Sequence, residues 1–237
     1  MKMGIALLLF AVLLAGCAHH PASQLTPKAY GTQIAEVSGS KQTAEVGSAL
    51  PQPVVVQVNG ADGNGVTGAL VRFQGEGVQF NPAEALSDSS GQVTTNVQVG
   101  FAAGDYQVVA ETPKQGGGVV TITLREIGLG YESTLGKAVN DTYCIRCHDN
   151  ESTPERVSNF DNLSPAPHQF ADGAAYNAFK DADLVNITSH GGLAVGKSPQ
   201  MPAFGATLKP AEIKAVVAYI RAISDPPYPT PGVKYGK

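Results

Sequence analysis

Two cysteines and a histidine fall within one pentapeptide, C-I-R-C-H at residues 144–148. A C-x-x-C-H pentapeptide is the attachment signature of c-type haem. The thiols of Cys144 and Cys147 would add to the two vinyl groups of the haem, and His148 would bind the iron as its proximal ligand. The pattern therefore predicts one covalently bound haem c and a domain that folds around it.

The same cysteine spacing also occurs in redox dithiols and in zinc sites. A thioredoxin-like dithiol would sit in a βαβ unit, and the sequence around residue 144 shows no such pattern. A zinc site needs more Cys or His ligands nearby, whereas the next histidine is His168. We favour haem over both alternatives.

The N-terminus predicts export from the bacterial cytoplasm, which agrees with a c-type haem because that cofactor is attached outside the cytoplasm. An apolar run covers residues 5–15 and follows Lys2. This run is shorter than the about 20 residues that cross a bilayer, and it suits the hydrophobic region of a signal peptide. An ordinary signal peptide that ends near a cysteine is the alternative to the lipoprotein signal considered next.

The tetrapeptide L-A-G-C at 14–17 resembles the lipobox of bacterial lipoproteins. The resemblance implies that residues 1–16 form a signal peptide, that Cys17 is acylated, and that the lipid anchors the chain in a membrane. Ala18, in place of aspartate, implies the outer membrane, so we expect an outer-membrane lipoprotein on the periplasmic face or the cell surface.

The three cysteines of the chain are all assigned by these motifs, one to lipid and two to haem. None remains for a disulfide, so stability must come from packing and from the cofactor. The formal net charge of -4, with 16 basic and 20 acidic residues, does not suggest nucleic acid as a partner.

Composition changes near residue 128 and predicts two domains. Residues 17–50 are rich in small polar residues and predict a flexible tether. Residues 51–126 have a β pattern and residues 130–224 a helical one, and the Pro- and Gly-rich tail at 225–237 is expected to be extended. We expect the two domains to be structurally independent.

Short β-branched runs bounded by Gly, Asp and Asn clusters fill residues 51–126 and predict an all-β sandwich. The runs lie at 53–58, 69–73, 93–99, 106–110 and 119–124. The motifs V-Q-V at 56–58, D-G-N-G-V at 62–66, V-R-F at 71–73, D-S-S-G at 88–91 and G-D-Y-Q-V-V-A at 104–110 resemble bacterial immunoglobulin-like domains of the invasin/intimin kind. The segment contains no His or Cys, so we interpret it as a spacer, with adhesion to a partner or carbohydrate as the alternative.

Two helices are predicted beyond residue 130, at 133–146 and 209–223. Ile213, Val216, Val217 and Ile220 recur at i, i+3, i+4 and i+7, which indicates one buried stripe on the second helix. Pro210 suits the first turn of that helix.

The stretch G-G-L at 191–193 with S-P-Q-M-P-A-F-G at 198–205 resembles the methionine loop of class I cytochromes c, and residues 208–221 resemble their C-terminal helix. The resemblance implies an all-α class I cytochrome c domain at 130–224 with Met201 as the distal ligand. It also implies that the first and last helices cross where Gly136 and Tyr219 lie. Asn140 departs from the family, which usually has an aromatic residue there.

Two histidines are alternative distal ligands, His168 and His190, and an open iron position is a third possibility. Met201 is the only methionine that remains once the signal peptide is removed. The family resemblance further implies that the backbone carbonyl of Pro165 or Pro167 accepts the Nδ1 hydrogen of His148.

A haem iron with two protein ligands has no open position for substrate, so the ligand set predicts a membrane-anchored one-electron carrier rather than an enzyme. Its partners would be donor and acceptor redox proteins, and the β domain would set the reach of the haem. One alternative is the electron-transfer subunit of a larger oxidoreductase complex, with the β domain as docking module. Another is a gas-sensing or catalytic haem with a displaceable ligand.

Overall fold

All strands of the described chain precede its helices. The computed structural model describes residues 25–154 and 156–229, so the signal-peptide prediction, Cys17 and most of the predicted tail lie outside the described residues. The strands are β1 (Gln33–Ser38), β2 (Thr43–Glu45), β3 (Val54–Asn59), β4 (Leu70–Gln74), β5 (Val78–Asn81), β6 (Glu84–Leu86), β7 (Gln92–Val99), β8 (Gly104–Pro113) and β9 (Val119–Leu129).

The strands form two sheets, ordered β1-β3-β7-β5 and β2-β9-β8-β4-β6. Every pairing is antiparallel except that of β2 with β9. Strict alternation in β3 buries Val54, Val56 and Val58 completely, and β7 alternates in the same way. Inward side chains of both sheets form one apolar cluster, so the predicted β-sandwich is confirmed.

The predicted tether is wrong for the part of it that the structure describes. β1 pairs with β3 and β2 pairs with β9, so both belong to the sandwich. The backbone N–H of Leu25 already donates to Glu84 of β6 at 3.1 Å. The composition suggested a tether because β1 buries only one of its six side chains, Ile34. The strand is instead held by backbone pairing at the edge of a sheet.

The second domain contains the helices α1 (Tyr131–Val139), α2 (Ile145–His148), α3 (Gly173–Tyr176), α4 (Asp181–His190) and α5 (Pro210–Ile223). A π-helical segment, Asn140–Cys144, joins α1 to α2, and single 3₁₀ turns lie at Phe160–Asn162 and Leu193–Val195. Long loops connect these elements. The domain is therefore a helical but loop-rich unit, which supports the all-α expectation only loosely.

α1 and α5 cross at Gly136. A Cβ atom on this residue would collide with the carbonyl oxygen of Ala215 and would lie 2.9 Å from Cβ of Tyr219. The absence of a side chain lets the two backbones approach, as the family resemblance implied. The stripe predicted on α5 is confirmed, because all four of its residues are buried.

The expectation of two independent domains is also wrong. Only Gly130 separates β9 from α1, and Ile127 and Leu129 of β9 pack against Tyr219 of α5 in a small apolar cluster. β9 alternates, with Leu124 facing the sandwich core and Ile127 facing the helices. The last strand of the sandwich thus packs directly against the last helix.

Candidate haem site

The C-x-x-C-H residues lie where the π-helical segment passes into α2. A π-helical turn is wider than an α-helical one and often marks a functional site. Cys144 is 5% exposed within the apolar cluster of the helical domain, whereas Cys147 is half-buried. Burial raises the pKa of the Cys144 thiol to about 12, so the unmodified thiol is neutral at physiological pH.

The imidazole of His148 is held through its Nδ1 atom. Nδ1 lies 2.8 Å from the carbonyl oxygen of His168 and 3.2 Å from the hydroxyl of Tyr176. A carbonyl only accepts, so Nδ1 carries the proton and Nε2 keeps a free lone pair. Burial lowers the pKa of His148, which favours the neutral ring that a metal ligand requires.

The expected acceptor for His148 is corrected by this geometry. Neither Pro165 nor Pro167 supplies the carbonyl; the next residue, His168, does. The ring of Phe170 stacks on the imidazole of His148 with the centroids 4.3 Å apart. This stacking fixes the register of the loop, so the carbonyl two residues before Phe170 faces Nδ1.

Met201 lies on a loop that folds back onto the end of α4. The N–H of Gly192 donates to the carbonyl of Met201 at 3.0 Å, and the N–H of Phe204 donates to the carbonyl of Thr188 at 3.0 Å. Gly191 has a φ of 79°, which favours glycine, and a Cβ on Gly192 would collide with the carbonyl of Ser198. The glycines of G-G-L are thus required by the close approach of the methionine loop.

Two contacts join the methionine loop to the histidine side of the site. The ring of Tyr143 meets that of Phe204 edge to face at 6.1 Å, and the N–H of Ser164 donates to the side chain of Gln200 at 3.2 Å. Phe204 and Gln200 flank Met201. Phe204 also packs on the apolar cluster that contains Cys144 and Phe170. The structure therefore gathers the C-x-x-C-H helix, the loop at 164–170 and the methionine loop around one apolar centre.

The alternative ligands occupy different positions. The ring of His168 is largely exposed and lies 3.3 Å from Asp172, and its own carbonyl binds Nδ1 of His148. The backbone carbonyl of His168 thus lies on the Nδ1 side of the imidazole, opposite Nε2. His190 ends α4 as an exposed residue, and its Nδ1 lies 3.1 Å from the carbonyl of Asn186. Met201 is half-buried on the loop between Pro199 and Pro202.

The donor set fits haem c. Two free thiols flank one turn of helix, an imidazole follows whose Nδ1 is bound to a carbonyl so that Nε2 is left free, and apolar side chains surround them. Among the described residues no cluster of three or more His, Cys, Asp or Glu side chains is arranged to hold a metal ion.

Sequence reasoning missed three residues that build the site. Phe170 and Tyr176 contact His148, as described above. Arg221, whose side chain is 9% exposed, donates to the carbonyls of Tyr176 at 2.8 Å and Phe179 at 2.6 Å and pairs with Asp181. The sequence did offer one signal for Arg221, because it directly follows the buried stripe of α5. A buried cation needs partners, so its position indicated polar contacts within the domain.

Residues 132–220 match the family model described as cytochrome c oxidase, cbb3-type, subunit III. The second domain is a cytochrome c domain. The match implies haem c as its cofactor and electron transfer as its chemistry. It covers the C-x-x-C-H motif and the methionine loop together.

Solved structures similar to the chain include domains of intimin and the adhesin InvE. The D0-D1 domains of intimin are 17% identical over 42% of this chain and 49% of that chain, with a TM-score of 0.31. The adhesin InvE of Yersinia pseudotuberculosis is 12% identical over 41% of this chain and 32% of that chain, with a TM-score of 0.30. The chain thus spans half or less of these relatives, and the sandwich assignment rests on the strand pairing given above.

No curated protein matches the chain. Within the residues that the structure describes, none of the helices has the length and apolar character needed to cross a bilayer.

Proposed function

We propose that the protein is an exported one-electron carrier with a single haem c held by His148 and Met201. The observation that carries the proposal is the setting of His148: Nδ1 is bound to the carbonyl of His168, burial lowers the pKa of the ring, and the residue directly follows the C-x-x-C pair with its two free thiols. This is the arrangement that presents Nε2 to an iron atom.

The residues around the site have distinct tasks. Cys144 and Cys147 would hold the haem covalently, and the carbonyl of His168 orients the imidazole and raises its basicity. Phe170 packs on the ring and keeps water from it. A haem bound here exchanges one electron with a partner without a change in its ligands.

Met201 is the distal ligand in this proposal. A thioether favours Fe(II) over Fe(III), so the potential would lie above that of a bis-histidine haem. The contacts of Gln200 and Phe204 with the histidine side support the assignment, because they hold the loop on both sides of Met201. With both axial positions filled, the protein is a carrier and has no substrate position on the iron.

The proposal includes a lipid anchor at Cys17 and attachment to the outer membrane. Its basis is the L-A-G-C tetrapeptide alone. Several acyl chains anchor a protein stably, whereas a single chain does not. Cys17→Ser should release the protein from membranes and leave the haem spectrum unchanged; a variant that still sediments with membranes after a high-salt wash would show that a protein partner holds it.

A second candidate function is that of an electron-transfer subunit in a larger oxidoreductase complex. The family match favours it, because the matched family is that of an oxidase subunit. Here the sandwich would be the docking module. Co-purification of a partner subunit under mild detergent would support this function, and a monodisperse single chain would support the free carrier.

A redox-titrated absorption spectrum of the mature protein tests the proposal. We expect a low-spin haem that gives one Nernstian transition, and a haem-stained band on a denaturing gel. Carbon monoxide should not alter the reduced spectrum at low concentration. A spectrum changed by carbon monoxide would instead show a displaceable ligand, as in a gas sensor or a catalytic haem.

A further inference from the structure

We propose that the β-sandwich positions the proximal ligand of the haem site. The connection is a strut of contacts that runs from Arg125 and Lys41 through Asp225 to the carbonyl of His168. The inference rests on the proposed function in one respect only, because it takes His148 as the proximal ligand.

The strut begins at Arg125, a residue of β9 whose side chain is 20% exposed. Its Nη1 donates to the carbonyl of Ser224 at 3.1 Å, and its Nη2 donates to the carbonyl of Ala222 at 3.4 Å. The last carbonyls of a helix lack partners within the helix and attract cations. Asp105 holds Nη2 from the other side at 2.7 Å, so a sandwich ion pair caps the C-terminal end of α5.

Lys41 supplies the second contact. Its N–H donates to the carbonyl of Arg125 at 2.8 Å, and its ammonium group lies 2.8 Å from the carboxylate of Asp225. Lys41 has a φ of 58°, which is uncommon for a residue other than glycine and persists only where the surroundings hold it. The hydrogen bond from Lys41 lowers the pKa of Asp225, so this carboxylate stays charged. The pair is exposed, and its role is to place Asp225 rather than to add much stability.

The backbone of Asp225 carries the connection to the haem side. Its N–H donates to the carbonyl of Ala171 at 2.8 Å, and its carbonyl accepts from the N–H of Gly173 at 3.0 Å. A Cβ on Gly173 would collide with the carbonyl of Pro226. The loop at 171–173 is therefore fastened to the segment that follows α5 by backbone hydrogen bonds, and the side chain of Asn177 donates to the carbonyl of Pro226 at 2.9 Å close by.

The last step runs from this loop to His168. A turn closes with the N–H of Asp172 on the carbonyl of Gln169 at 2.9 Å, and the carbonyl of His168 lies directly before that turn. Asp172 also lies 3.3 Å from the ring of His168. The carbonyl that binds His148 is thus held from two sides, by the stacking of Phe170 on the imidazole and by the loop that the sandwich holds.

The strut crosses open space. A cleft of about 1030 Å³ lies between the two domains, lined by residues that include Lys41, Arg125, His168 and Asp172. Continuous core packing does not fill this part of the interface, so hydrogen bonds make the connection between the sandwich and the loop across it. The strut can therefore be cut without opening the haem core.

The consequence concerns the strength of the bond from His148 to His168. A hydrogen bond at Nδ1 makes the imidazole more basic, and a more basic ligand favours Fe(III). An intact strut keeps this bond short and the potential low. Cutting the strut should lengthen the bond and raise the potential.

Two variants of the full-length protein cut the strut at different points. Arg125→Ala removes the cap on α5. Lys41→Asn removes the charge but keeps a residue type that tolerates a positive φ. Arg125→Lys is the conservative partner of the first variant. Arg72→Ala is the matched control, because Arg72 pairs with Glu84 at 3.2 Å within the sandwich.

Hydrogen exchange of the peptide 168–173 is the first readout, and it needs no haem. We expect its amides to exchange at least tenfold faster in Arg125→Ala and Lys41→Asn than in the wild type, with partial recovery in Arg125→Lys and no change in Arg72→Ala. Unchanged exchange in both cut variants would overturn the strut. Equal acceleration in Arg72→Ala would also overturn it, because general loosening of the sandwich would then be the cause.

The midpoint potential of the holoprotein is the second readout. We expect an upward shift in both cut variants and none in the control, with the low-spin spectrum retained in all of them. Faster exchange without a shift of the midpoint potential would overturn the link to the haem. It would still support the strut as a structural connection between the sandwich and the loop. A wild-type protein without covalent haem would refute the proposed function, and the exchange experiment would still decide the strut.

Discussion

The hydroxyl of Tyr176 and the Nδ1 atom of His148 share one acceptor, the carbonyl oxygen of His168, and lie 3.2 Å from each other. Burial raises the pKa of Tyr176 above its ordinary value, so the hydroxyl remains a donor at physiological pH. It competes with the imidazole for the same carbonyl. Tyr176 therefore weakens the bond that makes His148 basic.

Tyr176→Phe tests this competition. The carbonyl of His168 would then bind His148 alone, the imidazole would become more basic, and the midpoint potential should fall. Loss of one hydrogen bond should cost about 1 kcal/mol of folding stability. Tyr131→Phe, at an 87% exposed position on α1, is the control and should leave the potential unchanged. A rise in the potential of Tyr176→Phe would show that the hydroxyl supports the imidazole instead.

Met201→Ala tests the distal ligand. A low-spin haem should become five-coordinate or water-ligated, lose the weak sulfur-to-iron band of the oxidised protein and bind carbon monoxide. The potential should drop because a ligand that favours Fe(II) is gone. His168→Ala and His190→Ala should do none of this. Should Met201→Ala stay low-spin while a histidine variant does not, the haem has two histidine ligands.

Gly136→Ala tests the helix crossing. The added methyl group would meet the carbonyl of Ala215, and overpacking of this kind costs about 1–3 kcal/mol. The midpoint of denaturant unfolding should fall accordingly, and haem incorporation should decrease. Lys137→Ala, at the next and partly exposed position, should change stability by about 0.5 kcal/mol or less. Equal stability of Gly136→Ala and the wild type would mean that the helices can separate at no cost.

Glu126→Gln tests a buried carboxyl group in the sandwich. Glu126 is fully buried, one of its oxygens has no partner, and burial raises its pKa to about 8. The unfolded chain releases this proton near pH 4.5, whereas the folded chain keeps it up to about pH 8. The unfolded state therefore binds fewer protons across this window, and the free energy of unfolding should fall by up to about 5 kcal/mol as the pH rises through it.

Glutamine carries no charge and can still accept from the N–H of Gln42, as the carboxyl group does at 3.0 Å. Denaturant unfolding at pH 5, 7 and 9 should thus show a flatter profile for Glu126→Gln than for the wild type. Glu45→Gln, at an exposed position of β2, should keep the wild-type slope. Parallel profiles for Glu126→Gln and the wild type would show that Glu126 is ionised in the folded protein.

Local sequence patterns predicted the parts of the molecule that depend on residue type and spacing. The stripe on α5 follows from its 3.6-residue period, and the glycine at the crossing of α1 and α5 follows from steric need. The strands with strict alternation were recognised in the same way. In each case the side chains themselves carry the information.

The features that sequence reasoning missed depend on the backbone or on distant parts of the chain. The carbonyl that binds His148 has no residue-type signature, so the family resemblance pointed to Pro165 or Pro167 instead of His168. β1 is an edge strand with one buried side chain, and its period is too weak to detect. The capping of α5 by Arg125 joins residues about a hundred positions apart, which no local pattern reveals.

The early start of the sandwich would limit its distance from a membrane if the chain is anchored at Cys17 as proposed. Leu25 is already bonded to β6, so only eight peptide units separate it from the cysteine at position 17. A fully extended chain spans at most about 3.6 Å per residue, so this linker spans at most about 29 Å. If that cysteine carries the lipid, the sandwich stays close to the headgroups, and diffusion in the plane of the membrane, rather than swinging through the periplasm, brings the haem to its partners.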